Sequence, residues 1–252
     1  MANDTKITFG LTPKLPYAIE EAVNRLRINI SFLGRDVRKI MVISSEPNEG
    51  KSFLALNIWS QMAQAGESTV LLDADMRNST MYQKYMLSRS DGKELLGMTH
   101  YLSGDVPLEE VMLPVGETGG ALLPNVENII NPSMLLETSK FEELLDTAAE
   151  KYRYVFIDAP PLGLVSDAER IGNLCDGAIL CIRAGETPKG IVRNSVRQLE
   201  RAGCPLLGVV LNRAGGGKGG YYSKYYGRYG RYGRYGKYYG SKYYYGKNGK
   251  DD

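Results

Sequence analysis

Residues 40–52, IMVISSEPNEGKS, join a short apolar run to a glycine-containing loop. The run Ile40–Ser44 predicts a buried strand, and the segment from Ser52 to Ala65 predicts a helix. Backbone N–H groups of a loop between a strand and a helix can surround phosphate oxygens. In such a loop Lys51 can neutralise the phosphates, and the Ser52 hydroxyl can ligate Mg²⁺. These residues therefore predict a phosphate-binding loop.

Three carboxylates follow two other apolar runs. The run Thr69–Asp73 is followed closely by Asp75, and the run Tyr154–Asp158 ends in a third acid. The carboxyl ends of parallel strands converge on one crevice, so these acids are expected beside the loop. The acids could instead cap the helices or loops that follow them. Beside a G-K-S loop, however, three strand-end carboxylates match the needs of Mg²⁺-assisted phosphoryl transfer.

The remaining apolar periodicity alternates between helices and strands. An amphipathic helix is expected over Ile19–Ile30, and Pro16 could open it. Further along, helices are expected over Glu94–Leu102, Ser133–Lys151, Ser166–Leu174 and Pro188–Ala202, and strands over Ala121–Pro124, Gly177–Arg183 and Leu206–Asn212. Continuous apolar strands alternating with helices indicate a mainly parallel sheet that is covered on both faces. The predicted fold class is therefore α/β, with a doubly wound sheet.

The chain has 252 residues and a formal net charge of +2, but this charge is unevenly divided. Residues 1–214 carry 22 basic and 27 acidic side chains. Residues 215–252 carry nine basic and two acidic side chains, twelve glycines and twelve of the eighteen tyrosines. This last segment contains no Leu, Ile, Val or Phe, so it cannot bury enough aliphatic surface to offset the entropy of ordering it. We expect a folded domain over 1–214 and a disordered C-terminal tail over 215–252.

The sequence also argues against export and against a metal-binding cysteine cluster. Residues 1–39 lack the features of a secretory signal, and no run approaches the roughly 18 apolar residues of a membrane-spanning helix. A soluble, cytoplasmic protein is expected. The cysteines Cys175, Cys181 and Cys204 lie in apolar segments without metal-type spacing, and the single histidine, His100, adds no ligand cluster. Buried, unbridged thiols are therefore expected.

Three motifs and a tyrosine cluster together resemble a known family. EPNEGKS, VLLDADMR and YVFIDAPP, followed by C-terminal tyrosines, are similar to the motifs of the bacterial tyrosine kinases of capsular and exopolysaccharide synthesis. The similarity is to their stand-alone cytoplasmic form. It extends from about Pro16 to Arg213 through GMTHYLSG, NPSMLL, SDAERI and GVVLNR. The resemblance implies a P-loop NTPase fold of the MinD/ParA-like branch.

The resemblance also implies an activity and its setting. The protein would use ATP and Mg²⁺ to phosphorylate its own tail, in trans between subunits of a homo-oligomer, and so regulate polysaccharide synthesis and export. It would work in the cytoplasm, recruited to the inner face of the cell membrane by a membrane-anchored activator of the polysaccharide co-polymerase type. A cognate tyrosine phosphatase would oppose it, and nucleic acid is not an expected partner. The phosphoacceptors would be Tyr221, Tyr222, Tyr225, Tyr226, Tyr229, Tyr232, Tyr235, Tyr238, Tyr239, Tyr243, Tyr244 and Tyr245.

Residue roles carry over from the family by position. Lys51 would act on the phosphates, and Asp73 would accept the proton of the attacking tyrosine or orient its hydroxyl. Mg²⁺ would be held by Ser52 and Asp158, directly or through water, with Asp75 assisting. The nucleotide would be bound by Ser45, Glu46, Pro47, Asn48, Glu49, Gly50, Lys51, Ser52 and Phe53, with Asn212 and Arg213 near the adenine.

The sequence departs from the family pattern at three positions. Ser45 replaces the first glycine of the phosphate-binding loop, which is a common change in the family. Met134 stands where relatives usually have Glu in N-P-x-E-L-L. The N-terminal helix, about residues 17–34, is expected to mediate oligomerisation through E-x-x-R-x-x-R, but Asn24 replaces the middle Arg. The size of any oligomer is therefore left open.

Two other functions fit parts of the sequence. A partitioning or cell-division ATPase of the MinD/ParA type shares the three motifs, but it has a signature Lys at the second loop position, where this chain has Glu46. A nucleic-acid-binding module would explain the interleaved Gly, Arg and aromatic residues after residue 214. All twelve aromatic residues there are tyrosines, however. Base stacking does not require a hydroxyl group, whereas phosphorylation does.

Overall fold

The computed structural model describes residues 5–12, 14–116 and 120–214. One compact unit ends at Asn212, and a second unit begins at Arg213. The predicted tail and its twelve candidate phosphoacceptor tyrosines lie outside the described residues. The fold below is that of the first unit.

The described strands form two sheets. In chain order they are β1 (Ile7–Phe9), β2 (Lys39–Ser44), β3 (Thr69–Asp73), β4 (Leu87–Arg89), β5 (Leu113–Pro114), β6 (Gly120–Leu123), β7 (Tyr154–Asp158), β8 (Gly177–Arg183) and β9 (Leu206–Asn212). The larger sheet has the order β5-β6-β3-β7-β2-β8-β9, and all of its neighbours are parallel except β5 and β6. Strands β1 and β4 form a separate antiparallel ribbon. The predicted mainly parallel sheet is confirmed.

The helices of the described residues connect these strands. They are α1 (Tyr17–Ser31), α2 (Lys51–Gln64), α3 (Met81–Lys84), α4 (Met98–Ser103), α5 (Leu108–Val111), α6 (Ser133–Leu136), α7 (Ser139–Lys151), α8 (Asp167–Asn173) and α9 (Lys189–Arg201). Between the strands of the larger sheet, α2 follows β2, α8 follows β7 and α9 follows β8. This alternation is the predicted α/β order.

Two of the predicted helices have wrong boundaries. The helix expected over Glu94–Leu102 begins only at Met98, because the extended Gly97 lies against the backbone of Pro124 and Met98 N donates to the Pro124 carbonyl at 2.8 Å. The helix expected over Ser133–Lys151 is in fact α6 and α7. Thr138 breaks it, because its backbone is extended and its hydroxyl bonds to the carbonyl of Leu135 at 2.7 Å.

Side chains pack on both faces of the larger sheet. Along β2, Met41 joins a cluster that contains Phe141 of α7, whereas its neighbour Ile40 joins a second cluster that contains Trp59 of α2. Successive residues of a strand point to opposite faces, so both faces of the sheet are covered. The doubly wound architecture is therefore confirmed. The three cysteines are buried, as predicted.

Within the described ranges, none of the helices is both long and apolar enough to cross a membrane.

Candidate active site

The predicted phosphate-binding loop joins β2 to α2, whose first residue is Lys51. Two loop residues have left-handed backbone conformations, with φ of 63° at Asn48 and 101° at Gly50. A Cβ atom at position 50 would also lie 2.1 Å from Nδ2 of Asn212. The conformation favours glycine at this position, and a larger residue would also displace the side-chain amide of Asn212.

The carboxylate of Glu49 stabilises the loop from within. Its Oε2 accepts hydrogen bonds from the backbone N–H groups of Ser45, at 2.8 Å, and Glu46, at 2.9 Å. Its Oε1 accepts from the backbone N–H of Arg183 at 3.3 Å and from the hydroxyl of Thr187. Only 3% of Glu49 is exposed. This side chain therefore fixes the shape of the loop and ties it to the end of β8.

The two residues expected near the adenine are consecutive in the sequence, and the first of them, Asn212, ends β9. The Asn212 side chain donates to the backbone carbonyl of Glu49 at 2.8 Å, so it holds the phosphate-binding loop. The thiol of Cys181 donates to the same carbonyl at 3.4 Å. Arg213 has a left-handed backbone, with φ of 56°, and belongs to the second unit.

The ammonium of Lys51 is surrounded by oxygen atoms of the predicted metal ligands. Its Nζ lies 2.6 Å from Asp75 Oδ2, 3.5 Å from Asp158 Oδ1 and 3.3 Å from Ser52 Oγ. Burial disfavours the charge on Lys51, but the carboxylates of Asp158 and Asp75 outweigh this effect and raise the lysine pKa. The structure thus brings the loop together with Ser52, Asp75 and Asp158, the three residues predicted to hold a metal ion.

The third strand-end acid, Asp73, lies beside them. It is directly opposite Asp158 in the register of β3 and β7. Its Oδ2 accepts a hydrogen bond from Ser79 Oγ at 2.5 Å, whereas its buried Oδ1 finds no partner among the described residues. Burial first, and then the charge of Asp158, raise the pKa of Asp73 to about 8. Burial also raises the pKa of Asp158.

An ion pair next to these acids was not predicted from the sequence. Arg77 Nε lies 2.5 Å from Asp167 Oδ2, and Arg77 Nη1 donates to the carbonyl of Ile130 at 2.6 Å. Ser133 Oγ donates to Asp167 Oδ1 at 2.6 Å. These contacts join the VLLDADMR, NPSMLL and SDAERI segments. The motifs alone suggest that the three segments meet, but hydrophobic periodicity carries no information on which of their polar residues bond to one another.

Met134, the residue that stands where relatives usually have Glu, follows Ser133 and is 72% exposed.

Comparison with known proteins identifies the family. No family model matches the chain. The tyrosine-protein kinase CpsD of Streptococcus agalactiae serotype III is 34% identical over 194 residues, which cover 77% of this chain and 82% of CpsD. The chain belongs to the bacterial tyrosine kinase family. Another relative, the tyrosine-protein kinase YwqD of Bacillus subtilis, is 31% identical over 76% of this chain and 80% of YwqD.

Solved structures agree with this assignment to the bacterial tyrosine kinases. The VpsO kinase domain is 32% identical, with a TM-score of 0.71, over 78% of this chain and 94% of that domain. MinD of Pyrococcus horikoshii, solved with Mg-ADP, has a TM-score of 0.59 at 21% identity over 72% of each chain, which shows the P-loop NTPase fold alone. The enzyme class is therefore a P-loop protein-tyrosine kinase.

The residues around Lys51 of this kinase fit Mg²⁺. Hydroxyl and carboxylate oxygens are ligands that this cation prefers, and it usually keeps waters and binds nucleotide phosphates as well. Ser52, Asp75 and Asp158 already surround one positive charge. In the described part of the chain, no group of three or more His, Cys, Asp or Glu side chains forms a metal site by itself. A metal ion here would need the Ser52 hydroxyl, water molecules and nucleotide phosphates, in addition to the carboxylates, to complete its coordination.

The raised pKa of Asp73 predicts how the kinase's stability depends on pH without nucleotide or metal. The folded protein keeps this proton up to about pH 8, whereas an ordinary aspartate releases it near 3.8. The folded state therefore binds more protons in this window, so the free energy of unfolding falls as the pH rises through it. Asp73→Asn should reduce this slope and raise the melting temperature near pH 8 by several degrees. Melting temperatures measured between about pH 4 and pH 8 test this prediction. Melting temperatures that change with pH in the same way for the variant and the wild type would contradict it.

Proposed function

We propose that this kinase transfers the γ-phosphoryl group of ATP to tyrosines of its own C-terminal segment and so regulates the synthesis and export of an exopolysaccharide or capsule. One observation supports this most strongly. A cluster of side chains lies beside the buried carboxyl of Asp73, which has only one of its two oxygens hydrogen-bonded; the cluster is Lys51, Ser52, Asp75 and Asp158. The twelve tyrosines after residue 214 supply acceptors on the same chain.

In the proposed reaction, the tyrosine oxygen forms a bond to the γ-phosphorus while the bond from that phosphorus to the β–γ bridging oxygen breaks, so that ADP leaves. A tyrosine hydroxyl with a pKa near 10 is protonated at neutral pH, and Asp73 Oδ1 accepts its proton. Only the ionised form of Asp73 can accept this proton, so a pKa of about 8 predicts that transfer becomes faster as the pH rises toward that value. Lys51 stabilises the charge that develops on the phosphoryl oxygens.

The remaining site residues would bind the nucleotide and its metal. Ser52 and Asp158, with Asp75 assisting, would hold Mg²⁺, which neutralises phosphate charge when bound. Backbone N–H groups of the loop 45–53 would surround the phosphates. With a nucleotide bound, Lys51 would contact the phosphates instead of the carboxylates of Asp75 and Asp158. Asn212 would act by holding the loop, and Arg213 would lie near the adenine.

Phosphorylation is proposed to occur in trans. A random-coil, Gly-rich segment of 38 residues has a root-mean-square span of about 34 Å, which is comparable with the size of a domain. Such a segment could reach a neighbouring subunit in a homo-oligomer. In the cell, a membrane-anchored activator of the polysaccharide co-polymerase type would recruit the cytoplasmic kinase to the membrane, and a cognate phosphatase would reverse the modification.

Mixing two variants tests the proposal. Lys51→Met protein keeps the acceptor tyrosines, and a protein truncated after Ala214 keeps the site without them. With labelled ATP and Mg²⁺, label should appear on the Lys51→Met protein, at an initial rate that rises with the concentration of the truncated partner. A Lys51→Met protein whose C-terminal tyrosines are all changed to Phe is the matched control and should remain unlabelled. If no label appears on the Lys51→Met protein at any concentration, transfer in trans is refuted.

A further inference from the structure

The two oxygen atoms of the Asp73 carboxyl have different surroundings. Oδ2 accepts a hydrogen bond from Ser79 Oγ at 2.5 Å. Oδ1 is buried and has no hydrogen-bond partner among the described residues. Since a carboxylate can accept bonds at both oxygens, one oxygen of Asp73 is committed to the fold and the other is left for a ligand.

The hydroxyl of Ser79 is itself oriented by a second contact. The backbone N–H of Met81 donates to Ser79 Oγ at 3.2 Å. A serine hydroxyl has a single hydrogen atom, and the Met81 amide takes one of its oxygen lone pairs. The hydrogen of Ser79 is therefore available to Asp73 Oδ2.

The backbone of Ser79 is held by one side chain on a different loop. Ser79 N donates to Asn128 Oδ1 at 3.0 Å, and Asn128 Nδ2 donates to the carbonyl of Ser79 at 3.1 Å. Asn128 Oδ1 also accepts from Nδ2 of Asn125, a residue that is 1% exposed. Through these two hydrogen bonds, Asn128 in the loop after β6 holds both backbone polar groups of Ser79 in the loop after β3. The position of the Ser79 backbone in turn places its hydroxyl against Asp73.

We propose that Ser79, held by Asn128, is a positioning residue for phosphoryl transfer: it fixes the Asp73 carboxyl so that Oδ1 faces the tyrosine hydroxyl. The inference rests on the proposed role of Asp73 as proton acceptor. Without the Ser79 hydroxyl, Oδ2 would be buried without its partner, and the carboxyl could rotate about its last side-chain torsion. Misplacing a reacting group by about 1 Å can cost on the order of a hundredfold in rate.

The test compares Ser79→Ala with Ser79→Thr, which keeps a hydroxyl group. Ser79→Ala should lower kcat for tyrosine phosphorylation by about tenfold to a hundredfold, while the KM for ATP stays within about twofold of the wild type. Ser79→Thr should recover most of the lost kcat. The exposed Ser88 bonds only within the β1–β4 ribbon in the contacts described, so Ser88→Ala is the matched control and should retain the wild-type kcat.

A merely structural role for Ser79 gives a different result. A serine that only supports α3 would, when changed, lower nucleotide affinity and thermal stability together with kcat. Binding of ADP and thermal unfolding of Ser79→Ala therefore accompany the kinetics. The inference would be overturned if Ser79→Ala lowered kcat, ADP affinity and thermal stability to a similar extent, or if its kcat stayed within about twofold of the wild type. Asn128→Ala should lower kcat in the same direction, because it keeps the hydroxyl but releases the loop.

Asp73→Asn separates failure of this inference from failure of the proposed function. If Asp73→Asn retains the wild-type kcat, the proton-acceptor role fails, and the inference fails with it. If Asp73→Asn loses turnover but Ser79→Ala does not, only the inference fails. Because Ser79 acts through Asp73, the double variant should be no slower than Asp73→Asn alone. Independent, multiplicative losses in the double variant would show that Ser79 acts by another route.

Discussion

Lys51→Met is expected to lower the rate of tyrosine phosphorylation by at least about 10²–10³-fold, since removing one group that stabilises transition-state charge has an effect of this size. The substitution should also lower thermal stability. Asp75 and Asp158 are 4% and 1% exposed and share the Lys51 ammonium, and removing one partner of a buried ion pair costs about 3–5 kcal/mol. Rates with labelled ATP and melting temperatures without nucleotide measure the two effects.

Lys39→Met is the matched control for this prediction. Lys39 pairs with Asp146 at 3.0 Å, but 60% of the Asp146 side chain is exposed. Exposed ion pairs contribute about 0–1 kcal/mol, so this variant should keep both its melting temperature and its kinase activity. A pure Lys51→Met protein that still labels its own tyrosines would show that the loop does not bind the phosphates as proposed.

The second large effect is expected from substitutions of Asp73 and Asp158, which should change different kinetic quantities. Asp73→Asn should lower kcat by about 10²–10⁴-fold, the usual contribution of a positioned general base, with little change in nucleotide affinity. Asp158→Asn removes a proposed metal ligand, so its main effect should be a higher Mg²⁺ concentration for half-maximal activity. Titration of each variant with Mg²⁺ and with ATP measures both quantities. Equal turnover in Asp73→Asn and the wild type would rule out the proton-acceptor role.

The central strands could be predicted because each is a continuous apolar run that is buried on both faces of the sheet. The runs Thr69–Asp73 and Tyr154–Asp158 end where the structure ends β3 and β7. The β1–β4 ribbon was missed because each of its strands has only three residues, too few to show a period. The break at Thr138 was missed because helix-like periodicity continues across it.

The candidate site was predictable only to the extent that its residues follow one another in motifs. Lys51 and Ser52 follow the loop after β2, and the acids stand at or just after strand ends, so their convergence follows from parallel topology. Contacts between distant loops left no such signal. The bond between Asn128 and Ser79 joins residues 49 positions apart, and Glu49 bonds to Thr187 across 138 positions. The local sequence pattern does not predict these contacts, because they form between loops that only the folded sheet brings together.

The most direct measurement is a map of the phosphates on purified wild-type protein after incubation with ATP and Mg²⁺. Intact-mass and peptide mass spectrometry would count and locate them. The proposed function predicts phosphotyrosine within Tyr221–Tyr245, and none when the metal is chelated or when Lys51 is changed to Met. Conversion of ATP to ADP and free phosphate with no phosphotyrosine on the chain would contradict it, because the same fold would then be acting only as an ATPase.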